Sequence, residues 1–204
     1  MIEISADREG HSLRFLVWQG LKKCSTMTLF QFLEDGDVIV RSTAARELQL
    51  RGGQNVFDRT GQLLQSKSKT TRELAAFVLG QLGTPKRPYK KESTKLLMKL
   101  LRSETNAVVR ATAISSLGDL KAIEALPFII KYAKDPSPSV RGSVAFAIGM
   151  TYSEKSKEIP LPLLKVLRKL RNDKARVVRE DAALGLDLLH GSSRTFPTTL
   201  RSKC

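Results

Sequence analysis

The chain has 204 residues, 41% hydrophobic and only 6% aromatic, which is enough apolar material for a core and argues against both disorder and a β-sandwich. A formal net charge of +15 favours encounter with acidic partners of any kind, whether nucleic acid, an anionic membrane face or an acidic protein. Two cysteines (Cys24, Cys204) and two histidines (His11, His190) are too few and too scattered for a disulfide framework or a zinc site, so neither metal nor cofactor is expected.

The opening residues, MIEISADREGHSLRF, lack the basic and apolar regions of a secretory signal. No run approaches the roughly 18 apolar residues of a membrane span. The reading is a cytoplasmic protein with no membrane partner. Residues 1–27 stand outside any repeat and hold the single tryptophan, Trp18. From residue 28 onward an apolar helix and an arginine-centred helix alternate. LFQFLED precedes VIVRSTAARELQL, VFDRTGQLLQS precedes KTTRELAAFVLGQL, and STKLLMKLLRS precedes AVVRATAISSLGDL. AIEALPFIIKYA then precedes PSVRGSVAFAIGM, and LPLLKVLRKL precedes RVVREDAALGLDLL.

The central arginines are Arg41, Arg72, Arg110, Arg141 and Arg179. Three residues on stand Ala44, Ala75, Ala113, Val144 and Ala182, and seven on stand Leu48, Leu79, Leu117, Ile148 and Leu186. Spacings of 3, 4 and 7 mark one face of an α-helix. The unit is therefore helix A, short turn, helix B, with helix B expected to begin within two residues of Val40, Thr71, Val109, Val140 and Val178. Neither helix can bury its stripe alone, so neighbours must stack. The expected fold is an all-α, right-handed α-solenoid over residues 28–190, followed by an irregular tail, GSSRTFPTTLRSKC, over 191–204.

The arginine spacings alternate, 31, 38, 31 and 38, so a period of 69 overlies the single repeat and indicates duplication of a two-repeat unit. The extra residues fall in RPYKK and SEKSKEIP, between a B helix and the next A helix. Ala76 with Gly80, and Ala145 with Gly149, are small residues one turn apart. A mid-helix glycine costs roughly 1 kcal/mol against alanine, so its recurrence points to close helix contact. An acid stands six residues before the arginine in four repeats (Asp35, Glu104, Asp135 and Asp173), with Ser66 in the remaining one. These acids suit a helix N-terminus and are in position to pair with a neighbouring repeat's arginine. The five arginines are read as a structural ladder.

Segments such as VVREDAALGLDLL and PSVRGSVAFAIGM resemble the bacterial HEAT-like repeat of phycobilisome lyases, over roughly residues 28–190. That resemblance implies about five HEAT-like repeats and says little about function. The stretch RSTAARELQLRGGQ (Arg41–Gln54), followed by RELAAFVLGQL (Arg72–Leu82), is similar to small HEAT-repeat proteins encoded beside bacterial Rhs polymorphic toxins. This second resemblance implies an immunity protein that neutralises a cognate toxin.

No catalytic residue is expected, because no nucleophile has a base near it in the pattern and Gly52–Gly53 lies between helices, where it reads as a turn. Five residues after each arginine stand Arg46, Phe77, Ser115, Phe146 and Leu184. They leave the buried stripe for the concave surface of successive B helices, where Arg46, Phe77, Phe146 and Leu184 are candidate partner anchors. Basic residues cluster at Lys86, Arg87, Lys90 and Lys91, around Tyr89, and again at Lys165, Arg168 and Lys169. Those clusters are candidates for steering an acidic protein partner or, in the alternative reading, for contacting nucleic-acid phosphates.

Overall fold

Each arginine-centred segment forms a helix beginning two residues before its sequence marker. These B helices are α3 (Val38–Arg51), α5 (Lys69–Gln81), α7 (Ala107–Asp119), α9 (Pro138–Thr151) and α11 (Arg176–Leu189). Three of the starts are fixed by side-chain caps. Asp37 accepts from the N–H groups of Ile39 and Val40, Ser68 from Thr71, and Asn106 from Val108 and Val109. The computed structural model describes the backbone of residues 6–153 and 159–189, with side chains from residue 13 onward. The expected tail over 191–204 and most of the second insertion lie outside the described residues.

The A helices are α2 (Thr26–Gln31, continued by a 3-10 turn at Phe32–Glu34), α4 (Gln54–Leu63), α6 (Lys90–Ser103), α8 (Leu126–Ile129) and α10 (Leu161–Leu170). Repeat four departs from the regular A helix read in AIEALPFIIKYA. Its α8 is a single turn, flanked by 3-10 segments at Ile123–Ala125 and Ile130–Lys134. Pro127 stands in the first turn of α8, so a regular helix running from Ile123 would lack the N–H that Pro127 cannot supply.

The B helices pack in chain order, α3 on α5, α5 on α7, α7 on α9 and α9 on α11, and each also contacts its own A helix. Among the described residues the chain is thus an all-α solenoid with an A layer and a B layer. An N-terminal helix, α1 (Ala6–Leu21), packs on α3 and so extends the B layer by one. The core is the predicted stripe: Leu48, Leu79, Leu117 and Ile148 are fully buried, as are Ala44, Ala75, Ala113, Val144 and Ala182. Burying one such Leu or Ile is worth about 1.5–3 kcal/mol. Leu186, at the same position in repeat five, is only half-buried.

Close approach of the B helices rests on glycine. A Cβ at Gly80 would lie 2.7 Å from Ser116 Cβ on α7, and one at Gly118 would lie 2.6 Å from Ala147 Cα on α9. At Gly149 it would meet Gly185 Cα of α11 at 2.6 Å. In α3 this position is Gln49, whose Nε2 donates to the Phe77 carbonyl at 2.7 Å. The Gly52–Gly53 turn, with φ of 60° and 88°, sits against the next such turn: the Gly83 N–H donates to the Gln49 carbonyl at 3.0 Å.

Candidate functional site

The arginine ladder fixes how the B layer presents its surface. In every repeat Nη1 turns back into the A–B turn and donates to two carbonyls, those six and five residues earlier. Arg72 reaches Ser66 and Lys67 at 2.8 and 3.1 Å, and Arg141 reaches Asp135 and Pro136 at 2.8 and 3.0 Å. Arg41, Arg110 and Arg179 repeat the arrangement. The rest of the guanidinium fork points forward, to the acid of the following repeat. Arg72 holds Glu104 at 2.7 and 3.1 Å, Arg110 holds Asp135 at 3.1 and 3.2 Å, and Arg141 holds Asp173 at 2.8 Å through both nitrogens. Such bidentate pairs add direction as well as strength.

Each acid is used a second time, accepting the backbone N–H two residues ahead in its own turn: Glu104 from Asn106, Asp135 from Ser137 and Asp173 from Ala175. Hydrogen bonds from Arg72 hold the Glu104 carboxyl below its ordinary range against the opposing effect of burial, and Arg141 does the same for Asp173. Ser66 supplies the local turn bond through its hydroxyl, to the Ser68 N–H, but no charge. Among the described residues no carboxylate completes the forks of Arg41 and Arg179.

The candidate row is spread one residue per B helix. Arg46 on α3 is exposed, while Phe77 on α5, Phe146 on α9 and Leu184 on α11 are half-buried. Phe77 rests on the core with part of its ring uncovered. The two rings are not adjacent, because α7 lies between them and contributes Ser115, whose Oγ is 3.0 Å from that of Ser143.

Of the basic residues, Lys86, Lys90, Lys91, Lys165, Arg168 and Lys169 are exposed, on or beside A helices. Arg87 does not join them. Its backbone is left-handed, with φ of 46°, and its half-buried guanidinium donates to the Asp119 carbonyl at the end of α7. It anchors the loop instead of presenting charge to solvent. Burial pushes the nearby Asp119 carboxyl up to about 6, opposed by a hydrogen bond from Gln81 and by the charge of Arg87.

One network escaped the repeat pattern because its members lie outside the repeated positions. Trp18 Nε1 donates to Glu47 at 2.9 Å, and Glu47 accepts from Arg51 Nε at 3.0 Å. Arg51 Nη2 also donates to the Leu21 and Lys22 carbonyls, at 3.3 and 3.0 Å, which ties α1 to repeat one. Among the described residues no group of three or more His, Cys, Asp and Glu converges as a metal site, and no helix is long and apolar enough to cross a membrane.

Residues 94–187 match the family described as HEAT repeats. Protein YibA of Escherichia coli K12 is 29% identical over 160 residues, which cover 76% of this chain and 57% of YibA. The X-ray structure of YibA superposes with a TM-score of 0.71 at 27% identity, over 92% of this chain and 64% of that one. The chain thus spans about three fifths of that relative. The CpcE–CpcF complex of phycocyanin lyase from Nostoc sp. PCC7120 aligns with a TM-score of 0.64 at 15% identity, over 79% of this chain and 97% of that one. Human deoxyhypusine hydroxylase gives 0.52 at 22% identity, over 90% and 67%. The last two are likenesses of fold.

Proposed function

We propose that this chain is a non-enzymatic protein-binding scaffold whose B layer receives a folded partner, and that the partner is a toxin of the Rhs type which the chain neutralises as an immunity protein. The supporting observation is the row Arg46, Phe77, Phe146 and Leu184. Each residue is at least partly solvent-accessible, each stands on a different B helix, and the helices from α5 to α11 are held by the ladder. Aromatic and arginine side chains on a rigid support are the usual anchors of protein interfaces. The toxin assignment rests on the resemblance of the Arg41–Gln54 and Arg72–Leu82 stretches to proteins encoded beside such toxins. The CpcE–CpcF structure is itself a complex of two proteins.

The experiment is calorimetric titration with the purified product of the gene adjacent to this chain's own, paired with co-expression to score survival. Phe77→Ala and Phe146→Ala are each expected to weaken binding by at least about 1 kcal/mol, with melting temperatures unchanged. Unaltered affinity in both variants would remove the row from the interface. Wild-type protein that neither binds the toxin nor protects cells would end the immunity assignment.

A further inference from the structure

Within repeats three to five the positive charge is segregated by layer. In repeats three to five the A segments carry ten lysines and arginines against two acids, Glu92 and Glu124. The B helices of the same repeats carry four of each; three of those four cations, Arg110, Arg141 and Arg179, are spent on the ladder, and Arg176 pairs with Glu180. The A-layer charge is also ordered. Lys91, Lys95, Lys99 and Arg102 follow one another at intervals of four, four and three along α6, which is one helix face at about 6 Å per step. Lys131 and Lys134 continue this layer in repeat four, and Lys165, Arg168 and Lys169 share one face of α10. All nine are exposed, and none is ion-paired among the described residues.

We infer that the outer A-layer face of repeats three to five is a sequence-independent docking surface for the phosphate backbone of duplex nucleic acid, separate from the B-layer row. Backbone neutralisation by lysine and arginine needs no base contact. Single-strand binders add aromatic platforms for the bases, but the aromatics of this layer are already engaged. Tyr89 stacks on Phe57 at 4.8 Å, Tyr132 donates its hydroxyl to the Leu101 carbonyl at 2.6 Å, and Phe128 meets the edge of Tyr132 and lies under Lys131. A membrane surface fits less well. Interfacial helices bury an apolar face, and among the described residues the large apolar side chains exposed on the A layer of repeats three to five are Ile123 and Leu161, with none along the α6 stripe.

The test is fluorescence anisotropy of a labelled DNA duplex of about 20 base pairs with the full chain, titrated from about 50 to about 200 mM salt. Wild-type affinity should fall along a straight line in log–log coordinates. The triple variants Lys91→Gln/Lys95→Gln/Lys99→Gln and Lys165→Gln/Arg168→Gln/Lys169→Gln should each weaken binding at least tenfold at the low-salt end. Each should also flatten the slope by about two to three, near 0.9 per lost contact. A charge-matched control, Lys22→Gln/Lys23→Gln/Lys67→Gln, should stay within about threefold of wild type if position and not net charge governs binding. Phe77→Ala should leave duplex affinity unchanged, which keeps this result distinct from the fate of the proposed protein interface. Four outcomes overturn the inference: no duplex binding at low salt, a control that loses as much as the stripe variants, tighter binding of the matching single strand, or tighter binding of phosphatidylserine-containing vesicles.

Discussion

Repeats one and two meet through a side chain that reaches across, whereas repeats two to five meet through the absence of one. Between α3 and α5, Gln49 occupies the position where the later B helices carry Gly80, Gly118 and Gly149, and it bridges to the Phe77 carbonyl. At the same junction Ser66 replaces the acid, so Arg41 keeps its two carbonyl bonds and lacks the bidentate carboxylate. From α5 to α11 the backbones touch, and Arg72, Arg110 and Arg141 are each locked to the next repeat. Two separate substitutions thus loosen one junction, and both act where successive repeats must agree in spacing. The fold can accept a softer joint at its first step because α1 also packs on α3, through the Trp18–Glu47–Arg51 network.

The largest expected contrast between the two kinds of junction is in the ladder. Arg141→Ala leaves Asp173, whose side chain is 12% exposed, without its partner and strands the Asp135 and Pro136 carbonyls. A loss of about 3 kcal/mol is expected in urea unfolding. Arg41→Ala removes carbonyl bonds only and should cost about 1 kcal/mol. Equal costs would erase the distinction.

Next in size is the steric contrast. Gly118→Ala should destabilise by about 1–3 kcal/mol through overpacking against the α9 backbone, although alanine is worth about 1 kcal/mol more than glycine in an open helix. A raised melting temperature for that variant would show that the α7–α9 contact yields easily. The smallest effect comes from closing the first junction. Ser66→Glu should add roughly 0.5–1 kcal/mol near neutral pH by completing the Arg41 fork. Arginine bonding lowers the pKa of such a carboxyl in the folded state. The gain is therefore present above the unfolded carboxyl's pKa of about 4.3 and is lost as pH falls through the lower folded value. A gain that survives acidification would have some other cause.

The B-helix starts were legible because the apolar stripe and the V-R or T-R pair coincide at each, joined at the first three by an Asp, Ser or Asn cap. The destination of each acid was harder to read. Glu104 precedes Arg110 by six residues, yet its carboxylate belongs to Arg72 and only its backbone carbonyl serves Arg110. Sequence distance from an arginine to its acid is 25 or 32 residues, depending on which loop intervenes, so spacing alone does not identify the pair. The basic cluster around Tyr89 misled at one member, since counting charges gives no direction and Arg87 turns inward. The α6 stripe stands in the sequence at intervals of four, four and three, and it runs beyond the basic cluster that ends at Lys90 and Lys91.

The alternating 31- and 38-residue spacing gives this chain a natural unit of length. Arg72 and Arg141 stand 69 residues apart, and each finds its acid 32 residues further on, at Glu104 and Asp173. Excising residues 104–172 would therefore deliver Asp173 to Arg72 in the geometry Arg72 already uses, and would bring Gly80 opposite Gly185, where Gly149 now rests. Inserting another copy would be equally silent at both seams. Recombination can lengthen or shorten such an array without inventing an interface, so the reach of its surfaces can change while every joint stays one that has already been tried.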